Sequence, residues 1–241
     1  MPFLTVLENM NIPEHLLNEH YGDRYFDVVD AVDEARQIYI GNSSIVARLQ
    51  SLPAGGRHIA IGETGFGAGR LVVALMGALE DGGVSGAEVD WCSVELHPIT
   101  VGKMERILGE FRGRADGSHI SKVIGAYSGI DTSALGWHGA VITGGFGTIN
   151  LRIYIGEALD MVTSLPTQRD AWFLDGHCPK KNPEMWRAEL MWAIGGATRS
   201  GGTVTTFTVA GQVRRNLEAA GFRVEKVPGR GIKKEALFGI M

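Results

Sequence analysis

The chain of 241 residues contains little cysteine, lacks a long apolar run and carries no excess of positive charge. Its two cysteines, Cys92 and Cys178, are too few for a disulfide scaffold or a zinc cluster, and the histidines lack metal-ligand spacing, so we predict no metal site. No apolar segment approaches the roughly 20 residues of a membrane-spanning helix, and no signal peptide is recognisable at the N-terminus. These absences predict a reduced, cytoplasmic protein with no membrane partner.

The composition is that of a globular protein, with 44% hydrophobic and 21% charged residues. The net charge of −4 argues against strong attraction of the whole surface to nucleic acid, although a local basic patch can coexist with it. A chain of this length can bury a sizeable core without disulfides.

Apolar runs and helix-like segments alternate along most of the chain. Helices are predicted after Ala68, Pro98, Pro183 and Ala210, and strands are predicted at 58–61, 89–96, 149–155, 171–174, 203–208, 222–227 and 236–240. Such alternation favours an α/β fold with a mostly parallel sheet and helices on both faces. The last two strands lie close together in sequence, which predicts an antiparallel hairpin at the end of the sheet.

Two further features concern the organisation of this α/β domain. The segments 27–30 and 36–40 predict an N-terminal β extension, with residues 1–52 packed on a core domain of residues 53–241. The glycine-rich stretch 139–147 is predicted to be a surface connection inside a β-hairpin insertion.

A glycine-rich turn follows the first strand of the predicted sheet. Residues 63–69 read Glu-Thr-Gly-Phe-Gly-Ala-Gly and stand between a short apolar run and a helix-like stretch. A dinucleotide site requires G-x-G-x-x-G, whereas these glycines are spaced G-x-G-x-G behind an acid. The turn resembles motif I of class I S-adenosylmethionine-dependent methyltransferases, and a tight turn without a ligand is the alternative.

Acidic residues lie at, or just after, the ends of three predicted strands. Because ligands of open α/β sheets bind beyond the carboxyl ends of the strands, Glu95 is a candidate acceptor for ribose hydroxyls. Glu157 is a candidate contact to adenine or an ordinary turn residue. Asp175 ends a buried strand, where the reactive end of a cofactor bound at the glycine turn is expected.

The densest pattern in the chain is the segment 170–186, which contains Asp175 and a loop punctuated by prolines. Asn182 and Pro183 are typical of a helix start, with asparagine as the cap. Trp172 and Trp186 are predicted to pack in the core, with base stacking as the alternative.

Taken together, these segments of the chain resemble the methyltransferase domain of the MnmC-type bacterial enzymes that modify the tRNA wobble uridine. The similar segments, in family order, are 25–26, 33–36, 62–69, 170–186, 206–217, 220–222 and 229–235. Well-known members join this domain to a flavin-dependent oxidase. The resemblance therefore predicts a single-domain form, for which a separate oxidase is a candidate partner.

The resemblance implies a class I methyltransferase fold and methyl transfer from S-adenosyl-L-methionine to the amine of 5-aminomethyl-(2-thio)uridine in tRNA. It implies that Asp175 orients and helps to deprotonate the amine. The residues it implies for cofactor binding are Glu63, Gly65, Phe66, Gly67, Gly69, Glu95, Leu96, Gly156, Glu157, Asp175 and Gly176. Those it implies for substrate binding are Tyr25, His177, Pro179, Lys181, Lys233 and Lys234.

The chain also departs from the family pattern. His177 and Cys178 stand where members commonly carry phenylalanine and alanine, and Arg70 and Leu71 replace the usual Leu-Asn after the glycine turn. The polar, titratable position 177 leaves other acceptors open, such as another amine or a modified base in DNA. A non-catalytic relative that binds the cofactor is a further alternative.

Overall fold

A computed structural model of the protein describes residues 13–25, 31–111, 115–230 and 233–241. Within them, a central sheet of eight strands is accompanied by a separate short antiparallel pair. The pair comprises β1 (Leu17–Asn18) and β2 (Asp23–Arg24). The sheet comprises β3 (His58–Glu63), β4 (Ala87–Glu95), β5 (Gly136–Gly144), β6 (Gly147–Ile155), β7 (Arg169–Leu174), β8 (Thr198–Thr206), β9 (Arg223–Arg230) and β10 (Lys233–Ile240).

The strand order of the sheet is β5-β6-β4-β3-β7-β8-β10-β9. Strands β6, β4, β3, β7 and β8 are parallel, so their carboxyl ends meet at one edge. Strand β10 runs antiparallel between β8 and β9, with Leu237 opposite Thr206. Each predicted strand from residue 58 onwards is present, and the expected final hairpin is confirmed.

Helices cover both faces of this sheet. They are α1 (Ala31–Ala35), a π-helix (Arg36–Gly41), α2 (Ile45–Gln50), α3 (Arg70–Asp81), α4 (Val101–Gly109), α5 (Gly117–Ser128), α6 (Ala158–Thr163), α7 (Ala188–Gly196) and α8 (Gly211–Ala219), with 3₁₀ turns at Glu14–Leu16, Ala54–Gly56 and Pro183–Trp186. Those predicted after Ala68, Pro98, Pro183 and Ala210 are found, although only a 3₁₀ turn directly follows Asn182. Among the described residues, no helix has the length and apolar character needed to cross a membrane.

The predicted strand at 36–40 is wrong, because this segment forms the π-helix that continues α1. Val32, Ala35, Ile38 and Tyr39 are buried at spacings of three or four residues, which fits one face of a helix rather than alternate faces of a strand. The predicted strand at 27–30 lies outside the described residues, as do residues 1–12, Phe26, 112–114 and 231–232. The extension is therefore mainly helical where it is described.

The predicted β-hairpin insertion is present and larger than its glycine-rich centre. Strands β5 and β6 pair along their whole length, from Gly136 opposite Ile155 to Gly144 opposite Gly147. Strand β6 also pairs with β4, so only β5 is an addition at the edge of the sheet. Most of the segment predicted as a surface connection is strand.

The core has two layers, one on each face of the sheet. Tyr39, Trp91 and Phe173 belong to the layer beneath α1 to α5, which also includes buried residues of the π-helix and α2. Trp172 and Trp186 belong to the layer beneath α6 to α8 and are 0% and 4% exposed. The predicted core role of these two tryptophans is confirmed.

Candidate active site

A cavity opens at the edge of the sheet where the parallel strands β3, β4, β6 and β7 end. Many of the residues predicted for the site line it together. These are Tyr25, Gly65, Phe66, Gly67, Glu95, Leu96, Gly156, Glu157, Asp175, Gly176 and His177. Most of the residues predicted for the cofactor, and Tyr25 and His177 of those predicted for the substrate, therefore meet at one position in the fold.

The glycine turn forms the floor of this cavity. A Cβ atom on Gly65 would lie 3.0 Å from the carbonyl oxygen of Asp175, so a side chain there would crowd the turn after β7. Gly67 has φ +54°, a left-handed conformation that favours glycine. The Phe66 N–H donates to the carbonyl oxygen of Val94 at 2.9 Å, which ties the turn to β4.

Gly69 and Glu63, which are predicted to bind the cofactor, lie beneath the glycine turn and pack against core residues. Gly69 has φ +73°, and a Cβ there would lie 2.7 Å from Val123, so it shapes the turn and its packing. Glu63 is 1% exposed, and its Oε2 accepts a hydrogen bond from Trp91 Nε1 at 3.0 Å. Burial raises the pKa of Glu63 to about 8, against the lowering effect of the hydrogen bond from Trp91. Neither residue is part of the cavity wall in the described part of the chain.

Glu95 lies where β4 ends and joins the glycine turn to the following loop. Its Oε2 accepts a hydrogen bond from the Gly67 N–H at 2.9 Å, and its Oε1 accepts one from the His97 N–H at 2.9 Å. Burial raises the pKa of Glu95, while hydrogen bonds from backbone N–H groups oppose the rise. Each carboxylate oxygen has a second lone pair, so the group can still accept hydrogen bonds from a diol.

The opposite wall of the cavity combines apolar and acidic groups. Leu96 is 41% exposed at the cavity, and Glu157 follows Gly156 at the start of α6. Tyr21, which the sequence analysis did not single out, lines the same space. Burial raises the pKa of Tyr21, as do the charges of Glu95 and Glu157. The Glu157 side chain makes no capping hydrogen bond to α6, so the helix does not fix its orientation.

Asp175 lies in the wall of the cavity, and its carboxylate accepts hydrogen bonds from the protein. Arg70 donates to its Oδ2 at 2.7 Å, while the Tyr39 hydroxyl and the Gly176 N–H donate to its Oδ1 at 3.0 Å each. An opposite charge at this distance favours the ionised carboxylate. Asp175 is therefore a fixed negative charge at the wall of the cavity.

Arg70 is the functional residue that the sequence analysis noted as a departure without giving it a role. It is 6% exposed and also donates to Glu34 at 3.3 Å and to the Ala31 carbonyl oxygen at 2.9 Å. Burial lowers its pKa, but the charges of Asp175, Tyr39 and Glu34 outweigh burial and raise the pKa above its ordinary value. A cation in the first turn of α3 opposes the helix dipole, which is a local signal that it has acidic partners.

His177 stands next to this carboxylate, beneath two tyrosines. Its ring stacks on Tyr21 with 4.4 Å between centroids and meets the edge of Tyr25 at 6.0 Å. Its carbonyl oxygen accepts a hydrogen bond from Trp186 Nε1 at 2.9 Å, which fixes the loop. Tyr25 and His177, both predicted to bind the substrate, thus line the cavity.

The remaining predicted substrate residues lie outside the cavity wall of the described residues. Lys181 is exposed and donates to Gly22 O at 2.6 Å and to Asp23 Oδ1 at 3.0 Å, so its ammonium holds the β1–β2 segment. Pro179 is half-buried in the same loop. Lys234 is exposed near the start of β10, and the side chain of Lys233 lies outside the described part of the chain.

Asn182 does not cap the following 3₁₀ turn with its side chain, contrary to the sequence prediction. Its backbone has φ −135° and ψ 73°, and its N–H donates to the Cys178 carbonyl oxygen at 3.0 Å. The side chain, 8% exposed, lines the cavity together with Met185.

The sequence predicts no metal-ligand arrangement of histidines, but one histidine lies beside two acidic residues in the fold. Ligand atoms of Glu80, Asp116 and His119 lie within 4.8 Å of one another. His119 Nε2 is 2.9 Å from Glu80 Oε2, and Asp116 accepts a hydrogen bond from Ser118 N–H as the cap of α5. These protein contacts account for the cluster.

The residues that line the cavity fit S-adenosyl-L-methionine. Gly65 and Gly67 line it without side chains, a Cβ on Gly67 would lie 3.6 Å from the Tyr25 ring, and Glu95 places a hydrogen-bond-accepting carboxylate at the end of β4. Phe66 and Leu96 add apolar wall for an adenosine. When bound, the cofactor supplies an electrophilic methyl group on a sulfonium.

Comparisons with known proteins agree with this geometry. A family model described as S-adenosyl-L-methionine-dependent methyltransferase matches residues 138–241. The chain is 37% identical over 223 residues to the tRNA 5-methylaminomethyl-2-thiouridine biosynthesis bifunctional protein MnmC of Ectopseudomonas mendocina, covering 92% of this chain and 33% of that protein. It is 36% identical over 221 residues to the protein of the same name from Pseudomonas fluorescens, covering 91% of this chain and 32% of the relative.

Among solved structures, MNMC2 from Aquifex aeolicus has a TM-score of 0.70 at 18% identity, covering 93% of this chain and 65% of that chain. The chain spans about a third of the length of the curated relatives it matches.

The fold is that of class I methyltransferases, as in the solved structure of MNMC2. Together with the family model and the curated relatives, it identifies an S-adenosyl-L-methionine-dependent methyltransferase, with S-adenosyl-L-methionine as its cofactor. Within that class, it is similar to the methyltransferase part of the MnmC proteins, which confirms the resemblance stated from the sequence.

Proposed function

We propose that this methyltransferase acts on the amine of 5-aminomethyl-(2-thio)uridine at the wobble position of tRNA. The observation that carries the proposal is the similarity of 92% of the chain to bifunctional proteins of tRNA 5-methylaminomethyl-2-thiouridine biosynthesis. A flavin-dependent oxidase on a separate chain and a cytoplasmic location are parts of the same proposal.

The chemistry of the cavity agrees with an amine acceptor. Methyl transfer is an in-line displacement, so catalysis consists mainly of placing the nitrogen lone pair behind the methyl carbon. An alkylamine is an ammonium at neutral pH, and the fixed charge of Asp175 attracts an ammonium to the cavity wall. Tyr21 and Tyr25 provide aromatic surface beside that charge on which a uracil ring can stack.

The polar pair His177 and Cys178 favours one second candidate, the same methyl transfer to a different amine or to a modified base in DNA. His177 borders the cavity directly, at a position where the resemblance stated from the sequence implies a bulky apolar side chain. A residue that contacts the acceptor and differs in polarity alters which acceptor is bound best.

Incorporation of labelled methyl groups into matched acceptors tests the proposal. The protein is incubated with methyl-labelled S-adenosyl-L-methionine and tRNA that carries the aminomethyl group, the same tRNA transcribed without modification, or duplex DNA. We expect label in the first acceptor alone. Label in DNA or in unmodified tRNA would favour the second candidate, and cofactor binding without transfer to any acceptor would favour a non-catalytic relative.

A further inference from the structure

His177 differs from every other polar group at the cavity because its Nε2 atom is buried and has no hydrogen-bond partner within the described part of the chain. A buried polar atom without a partner costs free energy, which a ligand recovers when it supplies the missing hydrogen bond. The loop position is well fixed, since Trp186 donates to the His177 carbonyl oxygen. The unsatisfied atom therefore points to a ligand contact.

Asp175, the residue expected to remove a proton, is poorly suited to that step. Arg70 contacts its Oδ2 at 2.7 Å and is itself almost fully buried, so the ion pair is shielded from water. To accept a proton, Asp175 would have to give up charge that stabilises Arg70. A neighbouring group without such a partner accepts a proton at lower cost.

We propose that His177 is a catalytic residue that accepts the proton which the acceptor ammonium must lose before methyl transfer, while Asp175 holds that ammonium electrostatically. This inference rests on the proposed function in one respect, namely that the acceptor is an amine. It concerns a residue in which the chain departs from its family.

The proposed step consists of a proton transfer to His177 followed by methyl transfer to the amine. The imidazole lone pair takes one proton from R–NH₃⁺ and becomes imidazolium, leaving R–NH₂. The nitrogen lone pair then forms the N–C bond to the methyl carbon as the C–S bond breaks, and sulfur keeps the electron pair. The product R–NH₂⁺–CH₃ leaves, and the imidazolium returns its proton to water.

The surroundings of His177 favour its neutral form at neutral pH. Burial is the largest effect and lowers its pKa, with further lowering from Lys181 and His97, while the charges of Asp23 and Asp175 raise it. Tyr21 and Tyr25 complete the groups that face the ring from the N-terminal segment. Because the net shift is downward, most of the imidazole is ready to accept a proton at pH 7.

The test is a pH–rate profile of kcat/KM for tRNA that carries the aminomethyl group. In the native protein we expect a rise at acidic pH followed by a plateau through neutral pH, because the base is neutral above its pKa. His177→Phe keeps an aromatic ring against Tyr21 but removes the base. We expect it to lose about 10²–10⁴ in rate near pH 7 and to recover roughly tenfold per pH unit, as free amine accumulates.

Controls separate catalysis from structure. His58→Gln changes an exposed histidine at the opposite end of β3 and should keep the native profile. Asp175→Asn should lower kcat/KM on the plateau without making the plateau depend on pH. NMR titration of labelled histidine in the protein without acceptor should give a His177 pKa that matches the acidic break in kcat/KM.

Each outcome decides a different claim. A flat profile for His177→Phe near the native rate, or a mismatch between the NMR pKa and the acidic break, overturns the role of His177 and leaves the proposed function intact. Absence of transfer to any amine by the native protein at every pH overturns both.

Discussion

Arg70 and Asp175 form a buried ion pair where α3 begins, and Glu34 and Tyr39 extend it into a network beneath the cavity. The guanidinium contacts carboxylates from two distant segments, so it connects α1 to the turn after β7. Charges in such surroundings are stable only when they are paired and hydrogen-bonded. The network thus fixes the position of the carboxylate that we propose to face the acceptor.

Arg70→Met should lower the free energy of unfolding by about 3–5 kcal/mol, because it takes the guanidinium partner from two poorly exposed carboxylates. Urea denaturation measures the change. The matched control is Arg214→Ala, which breaks the exposed pair with Glu218 at 2.8 Å and should cost no more than about 1 kcal/mol. Equal, small losses in both variants would contradict the structural role of the Arg70 network.

Glu95→Ala should weaken the binding of S-adenosyl-L-methionine by roughly 1–3 kcal/mol, the usual cost of losing hydrogen bonds to a charged group. Calorimetry measures the affinity, with NAD as a ligand that should not bind. Glu105→Ala, an exposed acid on α4, serves as the control and should bind the cofactor normally. Unchanged affinity in Glu95→Ala would show that the Glu95 carboxylate does not contact the cofactor.

Sequence reasoning found the residues of the cavity that follow parallel strands, such as Glu95 and Asp175, because strand ends meet at one edge whatever the details of packing. It gave Arg70 and Tyr39 no role in the site, since their contact with Asp175 joins segments 105 and 136 residues away. It placed Glu63 in the site because of its motif position, whereas burial directs that side chain to Trp91.

At the scale of elements, the glycine turn between β3 and α3 brings the backbone close to the loop after β7. Close approach at Gly65, rather than an unusual φ, is the constraint there, because a Cβ would meet the Asp175 carbonyl oxygen at 3.0 Å and Gly176 Cα at 3.4 Å. Because of this contact, a distortion of the turn would displace both Asp175 and the glycine backbone that we propose to hold the cofactor.

Gly65→Ala should therefore cost about 1–3 kcal/mol of stability as an overpacked contact and weaken cofactor binding. Gly125→Ala is the matched control, since Gly125 lies within α5 and a Cβ added there would meet open space. It should stabilise the protein by up to about 1 kcal/mol, because alanine favours a helix over glycine. Normal cofactor affinity in Gly65→Ala would show that the turn does not form the cradle.

The elements of the main sheet were predictable because their apolar runs are bounded by glycine and proline. The π-helix was not, since Ile38-Tyr39-Ile40 is a short apolar run that periodicity alone cannot assign to helix or strand. Burial against α3 decides it, and that contact is visible only in the folded chain.

At the scale of the whole molecule, a net charge of −4 must be reconciled with the polyanionic acceptor that we propose, tRNA. The final hairpin extends beyond the carboxyl end of β8, the edge of the sheet at which the cavity opens, and Lys233 and Lys234 begin its second strand. Binding to tRNA is expected to depend on such local contacts and to weaken as salt rises.

Lys233→Ala with Lys234→Ala should raise the KM for tRNA and reduce the slope of log affinity against log salt by about 2, while the affinity for cofactor stays unchanged. Filter binding across a salt series measures the slope. Arg223→Ala is the control, because Arg223 lies at the opposite end of the same hairpin, paired with Ile240. Equal loss of tRNA and cofactor binding would indicate that the lysines support folding instead.

Identification of the methylated atom is the sharpest test of the proposed activity. The tRNA that carries the aminomethyl group is incubated with the protein and deuteromethyl-labelled S-adenosyl-L-methionine, digested to nucleosides and fragmented by mass spectrometry. We expect one labelled methyl group on the amine nitrogen of the substituent at C5 of the wobble uridine. A labelled methyl group on a ring atom, on the ribose or on any other nucleoside would contradict the proposal.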